Sequence, residues 1–237
     1  MAIGPETRVY SRTVDHVAID EGLRAYMLRV YNYMASGLAL TGIVAYLAAT
    51  TGFYASIAAT PFIWLVIFAP LGFVFFLSAR LHKMSVTGAQ TTFWLFAAVM
   101  GLSMASIFLQ FTGASIARVF FITGGTFAAM SLYGYTTKRD LSKFGSFLFM
   151  GLIGIIIASI VNIFVASSAL HFAISVIGVL VFVGLTAYDT QQIKELYLEA
   201  DDEGSVTKKA ILGALRLYLD FINLFMLLLQ FFGARRD

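Results

Sequence analysis

Charged residues are absent from long stretches of the chain. No Asp, Glu, Lys or Arg occurs in Val30–Ala79, Met84–Ala117, Val119–Thr137, Phe144–Tyr188 or Phe221–Ala234. Polar positions within them do not recur at every second residue, as the strands of a membrane barrel would require. Runs such as Phe147–Ile157 and Phe225–Phe232 are apolar on all sides. That suits helices, whose backbone groups are satisfied within the segment. A hydrocarbon core of ~30 Å takes ~20 helical residues. The first stretch therefore holds two spans with a turn at Gly52–Pro61, and the fourth holds two with a break near Ala166–His171. The pattern predicts seven helices, at about 26–50, 61–80, 88–111, 115–135, 144–165, 170–195 and 208–232. The expected architecture is an all-α integral membrane protein. It comprises a cytoplasmic N-terminal segment, 1–25, and one seven-helix membrane domain, 26–233.

Composition supports this. Of 237 residues, 59% are apolar and 12% charged, against about 45–50% and about 25% in a soluble domain. Too little polar surface remains for a water-soluble enzyme, a disordered chain or a nucleic-acid binder. Cysteine is absent, which excludes disulfides, thiolate metal sites and cysteine nucleophiles. The net charge of +3 reflects basic flanks of the spans. Twelve of the sixteen Lys and Arg fall on one side: Arg8, Arg12, Arg24, Arg29, Arg80, Lys83, Lys138, Arg139, Lys143, Lys194, Lys208 and Lys209. Arg118, Arg235 and Arg236 fall on the other, and Arg216 lies near a boundary. The excess of basic residues places the N-terminus in the cytoplasm and, after seven spans, the C-terminus outside. The first 25 residues are too long and too acidic for a signal-peptide leader, so no cleavage is expected.

Two acids stand in apolar surroundings. Asp189 ends the forty-five-residue charge-free stretch, and Asp220 lies inside the last apolar segment. A carboxylate at membrane depth costs a few kcal/mol or more and seeks a partner or a water-filled cavity. The sixth and seventh helices run antiparallel, which can bring both acids to similar depth near the cytoplasmic side. Held close, they cannot both ionise cheaply, and the pair shares a proton. Losing it leaves like charges that repel each other and attract a cation. Two carboxylates are too few for a tight Ca²⁺ cage of about six to eight oxygens, but weak binding suits an ion that must also leave. Plainer readings stand beside this one. Asp189 can be a helix-end carboxylate paired with Lys194, and Asp220 can pair with Arg216 four residues earlier. Asn223, three residues beyond Asp220, extends the same polar face. Arg80 ends the second span, either as a membrane-interface anchor or as a cationic partner for a carboxylate. Asn162 reads as a hydrogen bond between helices. Gly101 with Ala105, and Gly124 with Gly125, read as close-packing positions. The three histidines have no metal-ligand spacing. With no nucleophile or cofactor motif beside the acids, no enzyme activity and no cofactor are expected.

The segments Ala187-Tyr-Asp-Thr-Gln-Gln-Ile-Lys194 and Leu217-Tyr-Leu-Asp-Phe-Ile-Asn-Leu-Phe225 resemble the two C-terminal signatures of the Bax inhibitor-1 (YccA-like) family. Asn162-Ile-Phe164 and Ser175-Val-Ile-Gly178 are similar to its fifth- and sixth-helix segments. The stretch from Asp20 to Tyr33 resembles bacterial members, those of alphaproteobacteria in particular. The resemblance implies seven helices with the last one central and surrounded by the other six. It implies a pH-sensitive calcium leak in the bacterial inner membrane, with Ca²⁺ the permeating ion and Asp189 and Asp220 the paired aspartates. It places the family's basic latch on Arg80. The second-helix acid of some bacterial members has no counterpart in Phe62–Ala79. Arg216 stands where relatives often carry a small, neutral or acidic residue. Some bacterial relatives engage a membrane-bound protease, which makes the N-terminal segment Met1–Arg24 the alternative functional element.

Overall fold

The computed structural model describes residues 5–236, with side chains from Glu21 onward. The elements are α1 (Pro5–Thr50), α2 (Phe53–Ala58), α3 (Phe62–Arg80), α4 (Val86–Met104), α5 (Ser106–Gln110), α6 (Gly113–Thr136), α7 (Ser142–Val165), α8 (Ser168–Glu195) and α9 (Glu203–Phe232). Seven helical stretches among the described residues are long and apolar enough to cross a membrane: Glu21–Thr50, Phe62–Lys83, Val86–Gln110, Gly113–Thr136, Ser142–Val165, Ser168–Glu195 and Glu203–Phe232.

Helix ends follow local chemistry that the charge pattern does not reveal. Ser85, Thr112 and Ser167 cap α4, α6 and α8 by accepting from the amides of Gly88, Ser115 and Leu170. Asp202 caps α9, accepting from the Ser205 amide at 3.0 Å and the Ser205 hydroxyl at 2.6 Å. Those two donors hold its carboxyl below the usual carboxylate range, so the cap stays ionised at neutral pH. This cap starts the last helix at Glu203, earlier than the apolar pattern alone places it. The first helix also starts earlier than expected. It begins at Pro5, whose fixed φ suits a first helical position, and its 46 residues reach ~69 Å, well past the ~30 Å of hydrocarbon. The left-handed Gly52 (φ 76°) turns the chain from α1 into α2.

The last helix is the most enclosed. In its most apolar window 61% of residues are buried, against 6% for α7. It packs against α1, α4, α6 and α8 and touches α3, whereas α7 packs on α8. The expected ring of six is thus five helices with α7 outside it. The reason lies in composition: α7 is apolar all round, so lipid satisfies the faces that no helix covers. Close packing is local. Gly101 lies against the Thr41 carbonyl, and Gly134 lies against the Ala187 backbone. Gly124 and Gly125 are not close-packing positions, because a Cβ at either meets nothing within 4 Å.

Helices α8 and α9 form the antiparallel hairpin that carries the acids. Gly178 faces Leu227, Ile193 faces Gly213, and the Ser175 hydroxyl donates to Gln230 at 3.1 Å. At the far end of the bundle the chain terminus is pinned. The Ala234 amide donates to Ser115 Oγ at 2.8 Å, and the Arg236 guanidinium donates to the Phe108 carbonyl at 2.9 Å. A backbone bridge joins Phe111 to Arg235. The C-terminus and the α8–α9 loop therefore lie at opposite ends of the bundle.

Candidate functional site

Asp189 sits ~9 Å along the helix from the end of α8, and Asp220 sits ~25 Å from the start of α9. They become level because the polar first turns of α9 overshoot α8. At that overshoot the Lys209 ammonium caps α8, donating to the Leu196 carbonyl at 2.9 Å, and also pairs with Asp201. In the hairpin register the two carboxyls face each other within hydrogen-bonding reach. Asp220 is 5% exposed, and its Oδ2 finds no hydrogen-bond donor among the described residues. Asp189 is half-buried, closer to the surface. An ionised carboxylate only accepts, so a direct bond between the two requires one proton on the pair.

The other candidates separate. Arg216 is exposed, makes no ion pair among the described residues, and acts through space on Asp189, Asp220 and the Tyr26 hydroxyl. Lys194 does not pair with Asp189. Its ammonium donates to the Tyr135 carbonyl at 2.9 Å, because the last turn of α8 turns it toward α6. Asn223 does not join the pair. It is exposed and donates to the Leu219 carbonyl of its own helix at 2.8 Å. Arg80 ends α3 exposed and without an ion pair among the described residues. It is not among the charges acting on either aspartate, since α3 reaches α9 only marginally. Asn162 serves its own connection, accepting from the Ser167 amide at 3.0 Å. The side chains of Met1–Asp20, most of the segment named as a protease-binding element, lie outside the described residues.

Three features around the pair escape a reading by charge. The first is a hydrogen-bond chain. Thr190 donates to the Thr186 carbonyl at 2.7 Å, and Ser131 is 3.0 Å from Thr190 and 2.6 Å from Tyr31. With the Thr190 proton committed, Ser131 donates to Thr190 and Tyr31 donates to Ser131. The chain ties α1 and α6 to the residue beside Asp189. The second is Tyr26, 1% exposed, whose ring lies 5.6 Å from that of Tyr197 in the α8–α9 loop. The third is Arg29, which donates to Glu203 at 2.6 Å and Thr207 at 2.7 Å. The sequence signal for these was a polar or aromatic residue on the face shared with a core position, which periodicity alone leaves ambiguous. Arg29 clamps α1 to the start of α9, so Arg29→Ala is expected to raise amide hydrogen exchange in the first turns of α9 while leaving the mid-helix amides of α9 protected.

No group of three or more His, Cys, Asp or Glu able to hold a metal occurs among the described residues. Two carboxyls alone fall short of the about six to eight oxygens of a Ca²⁺ cage. Fold and site together define a polytopic helical membrane protein with an acidic pair on its most enclosed helix and the neighbouring α8.

Known proteins place it further. The family model for the inhibitor of apoptosis-promoting Bax1 matches residues 23–237. The chain is 51% identical to the inner membrane protein YbhL of Escherichia coli, over 91% of this chain and 94% of that protein. It is 48% identical to the uncharacterized protein RP147 of Rickettsia prowazekii, over 98% of both chains. A protein of Caulobacter vibrioides is 42% identical over 97% of this chain and 98% of its own. The chain belongs to the Bax inhibitor-1 family.

Proposed function

We propose that the protein is a calcium leak pathway of the bacterial inner membrane, gated by the proton shared between Asp189 and Asp220. The observation that carries this reading is the approach of two carboxyls inside the bundle, with the Oδ2 of Asp220 lacking a hydrogen-bond donor among the described residues. The inner-membrane assignment rests on the name of the Escherichia coli relative and on seven spanning helices. The basic side of the bundle is read as cytoplasmic, so the C-terminus, pinned at the other end, is periplasmic.

The protonated pair holds α8 to α9 by a hydrogen bond. As pH rises the proton leaves, and two like charges in a poorly solvated site repel. The same two charges attract a cation and, being only two, release it. Flux therefore rises with pH. In liposomes loaded with a Ca²⁺ indicator, the wild-type protein is expected to exceed protein-free vesicles and to conduct more in mildly alkaline than in mildly acidic buffer. Equal flux from protein and protein-free vesicles at every pH removes the proposal.

Arg216 tunes the same equilibrium. Its positive charge favours the ionised pair, so Arg216→Gln is expected to move the flux–pH curve toward higher pH without flattening it. An unmoved curve means that Arg216 does not act on the pair.

A further inference from the structure

Helices α1 and α6 both pack on α9 but do not pack closely on each other. The crevice between them holds a 730 Å³ cavity at the basic end and a 280 Å³ cavity beyond it, with Leu38, Phe120 and Phe221 lining both. Small residues on the facing walls, Ala35 and Ala39 on α1 and Gly124 and Ala128 on α6, leave it open. A Cβ on Gly124 would meet nothing within 4 Å. Tyr31, a polar residue on the wall, spends its hydroxyl proton on Ser131, so the wall offers little that a hydrocarbon would leave unsatisfied.

The mouth is different. Arg24 lines it and is exposed. Tyr135 lines it too, with the Lys194 ammonium 5.5 Å from its ring centre. From Arg24 to Leu38 is ~21 Å along α1, which matches half of a bilayer of ~40–45 Å including headgroups. The larger cavity thus spans one leaflet, with cations at headgroup level and an apolar slot reaching to the midplane.

We propose that this crevice binds one anionic phospholipid of the leaflet at the basic end, its phosphate against Arg24 and one acyl chain along α1 and α6 to Leu38. The lipid wedges α1 apart from α6. It rests on Phe221, the neighbour of Asp220, and beside the hydrogen-bond chain that reaches Thr190. The site is independent of what the acidic pair conducts.

Native mass spectrometry of the detergent-purified full chain, titrated with phosphatidylglycerol or phosphatidylcholine, tests it. Wild type is expected to retain one phosphatidylglycerol in preference to phosphatidylcholine. Arg24→Gln should lose about fivefold of that preference, as expected for one basic residue at an anionic surface. Gly124→Leu, or Ala128→Trp should the first variant fail to fold, fills the slot and should abolish retention. Gly154→Leu, at an equally open position on α7, should retain lipid as wild type does. The proposal is overturned by equal retention in the filled and wild-type proteins, by indifference to headgroup charge, or by a second copy of the chain taking the place of the lipid.

Discussion

Asp220→Asn is expected to abolish the pH dependence of Ca²⁺ flux and hold it at the low, acid-side level. Asparagine keeps the shape of aspartate, and its amide can donate to Asp189 at every pH. It therefore imitates the proton-bearing pair permanently. The cost to the fold should be small, because the Asp220 side chain is already buried with the Asp189 carboxyl as its polar neighbour. Wild-type flux governed by one shared proton changes by at most about tenfold per pH unit, whereas the variant curve should be flat. Asp189→Asn should act in the same direction but less completely, since Asp189 lies nearer the surface and leaves the buried Asp220 able to take up a proton of its own. Indicator-loaded liposomes across a pH series measure both. A variant that keeps the wild-type pH profile would mean that Asp220 carries no gating proton.

Gly134→Leu is expected to cost the folded state itself. Gly134 of α6 lies directly on the Ala187 backbone of α8, and even a Cβ there would collide with the Ala187 carbonyl. Backbone cannot rotate away as a side chain can. Overpacking a well-filled site costs typically ~1–3 kcal/mol, and pushing two helices apart along their seam falls at or above the top of that range. Against a total of ~5–15 kcal/mol, the variant should yield little monodisperse protein and a lower melting temperature in detergent. Gly125→Leu, nine residues earlier on the open side of the same helix, should melt like wild type. Equal melting of the two variants would mean that α6 and α8 do not meet as described. Ala187 is two residues from Asp189, so the same seam also sets the position of the acidic pair.

Much of this was legible in the sequence because membrane depth penalises charge. That penalty exposes the seven spans as charge-free runs and leaves Asp189 and Asp220 conspicuous within or beside them. The hairpin register then follows from an antiparallel connection between neighbouring helices. Facing was harder to read. Asn223 and Arg216 lie three and four residues from Asp220, within about 60° of it around the helix. On a helix packed by several neighbours, that rotation is enough to carry a side chain out of the site, and both are exposed. Arg80 shows the same difficulty between elements: a residue can share a depth with the acids while its helix barely touches theirs. The glycines were ambiguous for a related reason. Gly101 and Gly134 admit a neighbour's backbone, whereas Gly124 and Gly125 border open space. Composition does not distinguish a small residue that closes a seam from one that leaves it open.

A proton held between Asp189 and Asp220 is the proposed gate, and infrared difference spectroscopy of the reconstituted protein tests for that proton directly. A protonated-carboxyl stretching band should be present in acidic buffer and shift when Asp189 is replaced by Asn. It should fade as pH rises over the same interval in which Ca²⁺ flux grows. A low-flux state with no protonated carboxyl, or a band that titrates without any change in flux, contradicts it.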